Sequence, residues 1–346
     1  MTVAITGVGT YLPDERITGT EIADRSGVPE DVVVEKMGVR EKRVCPPDDD
    51  HATDMCVAAA REALADADRD PADVDLVLYH GSEYKDHVVW SAAAAIAEEL
   101  GADDAYATES YTLCAGAPVA LRGVRAQVAA GDVDSALLVA ASREEDLVDY
   151  ENERASFMFN FGSGACATVV ERAAEASTEP RALVRESAAV TDGSFADDVV
   201  MPAGGSRQPP SQGTVAAGLH TLDVPDPDGM KERLGAVSMD NFLSVADDAL
   251  TRSGYGRDDV DFVALVHMKR SFHEALVDAL GLDSETDAHY LDRYGHVQSV
   301  DQVLAVTEAL DDDLLEPGDV VLFLAAGTGY TWAATVVEWR DATAPP

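Results

Sequence analysis

Two stretches of this chain occur twice. Ala60-Arg-Glu-Ala-Leu followed by Asp73-Val-Asp-Leu-Val returns as Ala246-Asp-Asp-Ala-Leu followed by Asp259-Val-Asp-Phe-Val, at the same internal spacing. Each copy reads as an amphipathic helix, a polar turn and a buried strand. A second pair agrees: Gly162-Ser-Gly-Ala-Cys-Ala-Thr-Val-Val-Glu171 is matched by Gly327-Thr-Gly-Tyr-Thr-Trp-Ala-Ala-Thr-Val-Val-Glu338, a tight glycine turn feeding an apolar strand. The chain therefore reads as a duplication with its seam near residue 172, dividing it into halves 1–171 and 172–346. No Pro/Ser-rich linker or charge block separates them, so the halves are expected to pack intimately.

Apolar strands recur between helices. The pattern predicts strands at Leu76 to Tyr79, Ala136 to Ala141, Val263 to His267 and Val320 to Ala325, and helices around 53–67, 90–100, 115–130, 239–253, 271–280 and 299–311. That alternation argues for α/β layers around mainly buried sheets. The segment from Asp192 to Gly229, rich in Gly, Pro, Ser and Asp, reads as one long irregular insertion whose length suits it to cover a site.

Charge narrows the function. The chain has 65 Asp and Glu against 25 Lys and Arg, a net charge of −40, and the acids are spread over every segment. Such a surface repels nucleic acid and anionic lipid. Spread-out acidity with five lysines (Lys36, Lys42, Lys85, Lys231, Lys269) suits a halophilic cytoplasm, where concentrated salt screens self-repulsion. A hydrophobic content of 46% argues against disorder. Four cysteines (Cys45, Cys56, Cys114, Cys166) without C-x-x-C spacing point to a reducing compartment and no structural zinc. Met1-Thr-Val-Ala-Ile-Thr-Gly-Val-Gly already reads as a strand and turn, and no long apolar run is present, so a soluble cytoplasmic protein is expected.

In layered α/β folds, reactive groups gather where strands end and helices begin. Cys114 opens a helix-like run, Cys-Ala-Gly-Ala-Pro-Val-Ala-Leu-Arg, after the extended stretch Ala105 to Leu113. Unpaired backbone N–H groups at a helix N-terminus favour a thiolate, which is how a nucleophilic cysteine is built. His267 closes the strand Val263-Ala-Leu-Val-His, and Tyr294-Gly-His296 precedes the helix beginning near Ser299. One thiol and two neutral imidazoles suit thioester chemistry, the thiolate taking an acyl group while ring N–H groups hold the oxygen of a second thioester as it becomes an enolate. The other histidines form no H-E-x-x-H or i,i+4 pair, so no metal is expected. The glycine pairs at 162–164 and 327–329 complete neither a dinucleotide nor a P-loop pattern.

These residues resemble a known family. From Val3-Ala-Ile-Thr-Gly-Val-Gly-Thr-Tyr-Leu-Pro and Gly38-Val-Arg-Glu-Lys-Arg-Val to Gly327-Thr-Gly-Tyr-Thr-Trp, the chain is similar over its full length to the β-ketoacyl-(acyl-carrier-protein) synthase III family of the thiolase superfamily. The resemblance implies a duplicated five-layer αβαβα fold and a homodimer. It implies a nucleophile at Cys114 in Leu-Cys-Ala-Gly and a first imidazole at His267, followed here by Met268-Lys-Arg270 in place of Gln-Ala-Asn. The family's Gly-Asn pair falls on Gly295-His296, giving a Cys-His-His set similar to that of the elongating ketoacyl synthases. The oxyanion hole would be the backbone N–H groups of Cys114 and Thr328. Where the family often has a tryptophan to stack on the adenine of coenzyme A, Val32 stands here; Lys36 and Arg154 remain as the coenzyme A-binding candidates. No resident cofactor is implied, since coenzyme A or a carrier protein arrives as the thioester substrate.

The leading expectation is a condensing enzyme that loads an acyl group on Cys114 and joins it to a malonyl-type thioester by Claisen condensation. Within the superfamily, a hydroxymethylglutaryl-CoA synthase would need a glutamate base near Glu83 in Gly81-Ser-Glu-Tyr. An ester- or amide-forming acyltransferase and a non-catalytic scaffold subunit of the same fold also fit the pattern. His296 in place of asparagine is expected to give the second half-reaction a pH dependence near neutrality.

Overall fold

The computed structural model describes residues 2–340. Its strands are β1 (Val3–Tyr11), β2 (Arg16–Thr18), β3 (Glu41–Arg43), β4 (Leu76–Tyr79), β5 (Tyr106–Glu109), β6 (Ser135–Ser142), β7 (Gly164–Arg172), β8 (Ala182–Thr191), β9 (Phe262–Leu265), β10 (Val320–Gly327) and β11 (Thr331–Trp339). The α-helices are α1 (Gly19–Ser26), α2 (Ala52–Asp66), α3 (Ala92–Leu100), α4 (Gly116–Ala130), α5 (Gln212–Ala216), α6 (Pro227–Ser253), α7 (Arg270–Leu280) and α8 (Asp301–Asp311). Nine strands follow one another in the order β5-β4-β6-β7-β1-β8-β11-β10-β9, and β2 pairs with β3 apart from them.

That order contains the same motif twice. In the first half β4 is parallel to β5 and β6, and β6-β7-β1 continue antiparallel. In the second, β9 is parallel to β10, and β10-β11-β8 continue antiparallel. The counterpart of β5 is reduced to one parallel bridge, Val263 to Ala288. Only Ala4–Leu183 and Ile5–Ala182 join β1 to β8, so two sheets meet along a short seam. Strand β7 ends at Arg172; of the halves expected at 1–171 and 172–346, Met1 and residues 341–346 lie outside the described residues.

Side-chain alternation along the strands builds the layers. On β6, Leu137, Val139 and Ala141 pack with α2 and α3, whereas Ala136, Leu138 and Ala140 turn to the central cluster with α4 and α8. On β10, Val321 and Phe323 join that same central cluster, while Leu322 and Leu324 pack beneath α6 and α7. Helices, sheet, helices, sheet, helices is the five-layer αβαβα arrangement. Near-continuous apolar strands are what a sheet buried on both faces requires.

Three local expectations are corrected. Helix α6 begins at Pro227 instead of 239, because Asp226 accepts a hydrogen bond from the Gly229 N–H at 3.0 Å and Pro227 fills the first helical position. Gly229 and Gly235, poor helix formers, had masked those turns in the sequence. The insertion from 192 to 229 is partly ordered: it holds α5 and a Val200–Asp223 bridge, and it packs Leu222 and Val224 with Ala155, Met158 and Met230 of α6. Strand β9 ends at Leu265, so His267 lies just beyond it.

Close packing of α2 on β1 depends on glycine. A Cβ added at Gly7 would sit 2.1 Å from the Ala63 carbonyl oxygen. Gly7→Ala should therefore lower stability by about 1–3 kcal/mol, the usual cost of overpacking, seen as an earlier transition in denaturant unfolding.

Candidate active site

Cys114 sits where the first half delivers a strand to a helix. After β5 the chain turns through a 3-10 turn, Leu113–Ala115, directly into α4 at Gly116. Leu113 holds a positive φ of 49°, rare for a non-glycine residue, and this sharp turn presents the next residue, Cys114, to the cavity. Gly327, at the end of β10, lies flush against the turn: a Cβ there would be 2.1 Å from the Thr112 carbonyl oxygen and 3.1 Å from the Cys114 nitrogen. The second half thus reaches the Cys114 backbone directly, with Thr328 next along lining the same cavity.

His296 and His267 are tied together by a residue that sequence reasoning missed. Asp301, at the first turn of α8 and fully buried, accepts hydrogen bonds from His296 Nδ1 at 2.6 Å, the His267 N–H at 2.7 Å and the Val297 N–H at 2.7 Å. On the other side of the ring, His296 Nε2 lies 3.1 Å from Cys114 Sγ. Burial opposes a charge on His296, but the Asp301 carboxylate and the Cys114 sulfur outweigh it and hold the imidazole well above its ordinary range. With both nitrogens protonated, Nδ1–H donates to Asp301 and Nε2–H to Sγ.

His267 is different. Its ring nitrogens close no hydrogen bond, and it packs against Tyr290 with ring centroids 5.0 Å apart. Burial, then the charge of His296, lowers it to about 3. The expected neutral imidazole describes His267 and not His296, whose buried carboxylate partner keeps it charged. A pH dependence near neutrality arising from His296 is accordingly not what this environment produces.

A second connection to Cys114 also escaped the sequence. Sγ lies 2.8 Å from Gln298 Oε1; Gln298 Nε2 donates to Glu144 Oε2 at 2.6 Å, and Glu144 accepts in turn from the Ser82 hydroxyl. Glu144 follows β6, in a stretch whose acids read as solvated surface. Asp301 carried a signal: an acid five residues after His296, opening a helix that continues through the apolar run Val303-Leu-Ala-Val306.

Cys114, His267, His296 and Thr328 line one cavity of about 870 Å³. Phe157, Phe161, Met230, Leu234, Phe242 and Phe272 supply apolar wall. Lys36 and Arg154 both line it, and so do Lys231 and Lys269, which sequence reasoning did not select. All four cations are exposed, which puts them toward solvent while the Cys114 end is buried. Arg154 is held by Asp223 at 2.7 Å. Glu83 is elsewhere: exposed, it lines a separate groove with Lys85, Trp90 and Tyr111, so no glutamate base at that position enters the Cys114 cavity. All four cysteines are free, and among the described residues no cluster is arranged to hold a metal.

Comparison with known proteins agrees with this architecture. Residues 109–193 match the family model for 3-oxoacyl-[acyl-carrier-protein (ACP)] synthase III, and residues 250–339 match the model for the C-terminal part of the same enzyme. The chain belongs to the 3-oxoacyl-ACP (β-ketoacyl-ACP) synthase III family. Similar members include the β-ketoacyl-[acyl-carrier-protein] synthases III of Desulfitobacterium hafniense strain Y51, 27% identical over 98% of each chain, and of Caldanaerobacter subterraneus subsp. tengcongensis, 28% identical over 97% of each. The priming β-ketosynthase of the R1128 polyketide biosynthetic pathway superposes with a TM-score of 0.84 at 26% identity, covering 99% of this chain and 97% of its own. The synthase III of Aquifex aeolicus VF5 shares the fold at TM-score 0.82, 22% identity and coverage of 97% and 100%. Family members are acyltransferases of the condensing type.

For this synthase III family member the two histidines should titrate apart. In an NMR pH titration from about pH 5 to 8, the His267 ring should stay neutral, because its lowered value of about 3 puts the charged form below that window. His296 should stay protonated over most of it; a His267 midpoint above about pH 5, or a neutral His296 at about pH 6, would contradict the geometry.

Proposed function

We propose that the chain is a condensing enzyme that loads an acyl group from a coenzyme A or carrier-protein thioester onto Cys114 and transfers it to a malonyl-type thioester. The observation that carries this reading is the convergence of Cys114, His267 and His296 from three distant segments on one apolar cavity, lined at its exposed parts by three of the chain's five lysines. On a chain of net charge −40, such a concentration of cations suits a phosphate-bearing carrier. Lys36 and Arg154 are the residues we assign to that carrier, joined by Lys231 and Lys269.

In the first half-reaction Sγ attacks the thioester carbonyl, whose oxygen takes the electron pair and is held by the N–H groups of Cys114 and Thr328. The carrier thiolate leaves with a proton from His296 Nε2. In the second, the carbon–carboxylate bond of the malonyl unit breaks, carbon dioxide departs, and the electron pair forms an enolate whose oxygen accepts from the neutral His267 ring. The enolate carbon attacks the acyl-Cys114 carbonyl, the new carbon–carbon bond forms, and Sγ leaves. A second reading, transfer of the acyl group to an alcohol or amine, is favoured by the His296–Asp301 pair, which after acylation can accept the proton of such a nucleophile.

Incubation with acyl-CoA should add the acyl mass to the intact protein, and Cys114→Ala should abolish the gain. His296→Ala should lower the acylation rate, and turnover with it, by about 10² or more, the scale of removing a positioned general acid. Unchanged acylation in Cys114→Ala would end the nucleophile assignment.

We also infer a homodimer. Strand β5 pairs on one side only, with β4, and exposed Tyr106, Val88 and Val89 stand on or near that edge, features suited to sheet pairing across a two-fold axis. Light scattering in concentrated salt should report twice the 36.6 kDa chain mass. Free cysteines and a surface of carboxylates support a reducing, salt-rich cytoplasm as its setting.

A further inference from the structure

Cys114 has two polar neighbours, and only one of them belongs to the reaction as drawn above. His296 touches the cavity. Gln298 does not line it; its amide lies behind the sulfur, with Oε1 at 2.8 Å from Sγ and Nε2 at 2.6 Å from Glu144 Oε2. The backbone of Gln298 is held at a φ of 60°, in the left-handed region that a non-glycine residue seldom occupies. Residues kept there cluster where geometry is functional. Glu144 is fixed from its far side by the Ser82 hydroxyl, so thiol, amide and carboxyl form one closed chain.

An amide has a donor end and an acceptor end of nearly the same shape. With Oε1 toward sulfur, Gln298 accepts from a thiol S–H and its NH2 donates to an ionised Glu144. Turned by half a rotation, the NH2 donates to a thiolate, and Oε1 then faces Glu144, which must carry a proton to be hydrogen-bonded at all. Each orientation places a charge-assisted hydrogen bond on the amide when one of its two neighbours is ionised, the NH2 meeting the ionised partner and Oε1 the protonated one.

We propose that Gln298 is an amide relay through which Cys114 and Glu144 share a single proton, making Glu144 a positioning residue for the nucleophile. Conversion of one arrangement to the other moves one proton from Sγ to the Glu144 carboxylate and leaves the charge of the site unchanged. The thiolate thereby gains a second donor, opposite the Nε2–H of His296, without a further positive charge. Burial raises Glu144 above the ordinary carboxylate range, partly offset by the Ser82 hydrogen bond and by the charge of His296 and reinforced by Glu83. The Tyr79 hydroxyl, which donates to the Ser82 carbonyl oxygen, lies in the field of Glu144, and Tyr330 lies in that of Cys114.

Two groups sharing a proton titrate in two steps that belong to the pair. The inference rests on Cys114 being the nucleophile, and alkylation tests both without any acyl substrate. In the unaltered chain the rate of Cys114 modification by iodoacetamide, read by intact mass and peptide mapping from about pH 5 to 10, should rise in two steps separated by a plateau. Glu144→Gln should collapse these to one step, since the carboxamide cannot ionise. Gln298→Met, close in shape but lacking donor and acceptor, should also give one step and lower the plateau rate by about tenfold, the worth of one hydrogen bond to a charged group. Two steps surviving in both variants would belong to Cys114 and His296 and would overturn the relay. A single step in the unaltered chain would overturn it too. If Cys114 is not alkylated at all, the nucleophile assignment fails and the relay with it. Should Glu144→Gln not fold, Gln298→Met alone decides the matter.

Discussion

The buried carboxylate of Asp301 is the interaction on which the site rests. It has no exposed surface, and a charge in that position is tolerated only when its lone pairs are filled. Three donors fill them: one imidazole and two backbone N–H groups, from His267 and Val297. The carboxylate at the start of α8 therefore clamps the end of β9 to the loop carrying His296. Satisfying its own hydrogen bonds and aligning two histidines are the same event.

Duplication supplies the second requirement. Each half is a sheet with helices on both faces, and the halves share the central helices α4 and α8. One of these helices begins just after Cys114 and the other just after His296. Corresponding helix starts from the two copies face each other, so Cys114 and His296 come together although 182 positions separate them in sequence. Gly327 lets the second half's β10 turn reach the cysteine backbone without a side chain between.

Much of this was legible because it is periodic or repeated. The duplicated segments declared the two halves, alternation declared the buried strands, and Cys114, His267 and His296 stood at strand–helix junctions. What escaped had little or no local signature. Asp301 offered only its place at the head of a helix, and Glu144 is one acid among sixty-five that only tertiary packing distinguishes from the solvated ones. Gln298 owes its place to a backbone conformation that its residue type does not announce. The first turns of α6 were hidden by glycines that a side-chain cap and a proline overcome. Glu83 erred in the other direction, a residue of suitable type whose loop carries it to another groove.

The acidity of the surface and the cations lining the cavity act over different distances. At about 0.1 M salt the screening length is roughly 10 Å, and at 1 M it shrinks to about 3 Å. On the proposed reading, an anionic thioester at low ionic strength meets the field of the whole chain, net −40, before it meets Lys36, Lys231 or Lys269. At high ionic strength the far field vanishes, and only direct contact with those lysines is felt. Added salt thus removes a barrier to capture here, the reverse of its action on proteins that draw anions in from afar with a positive potential.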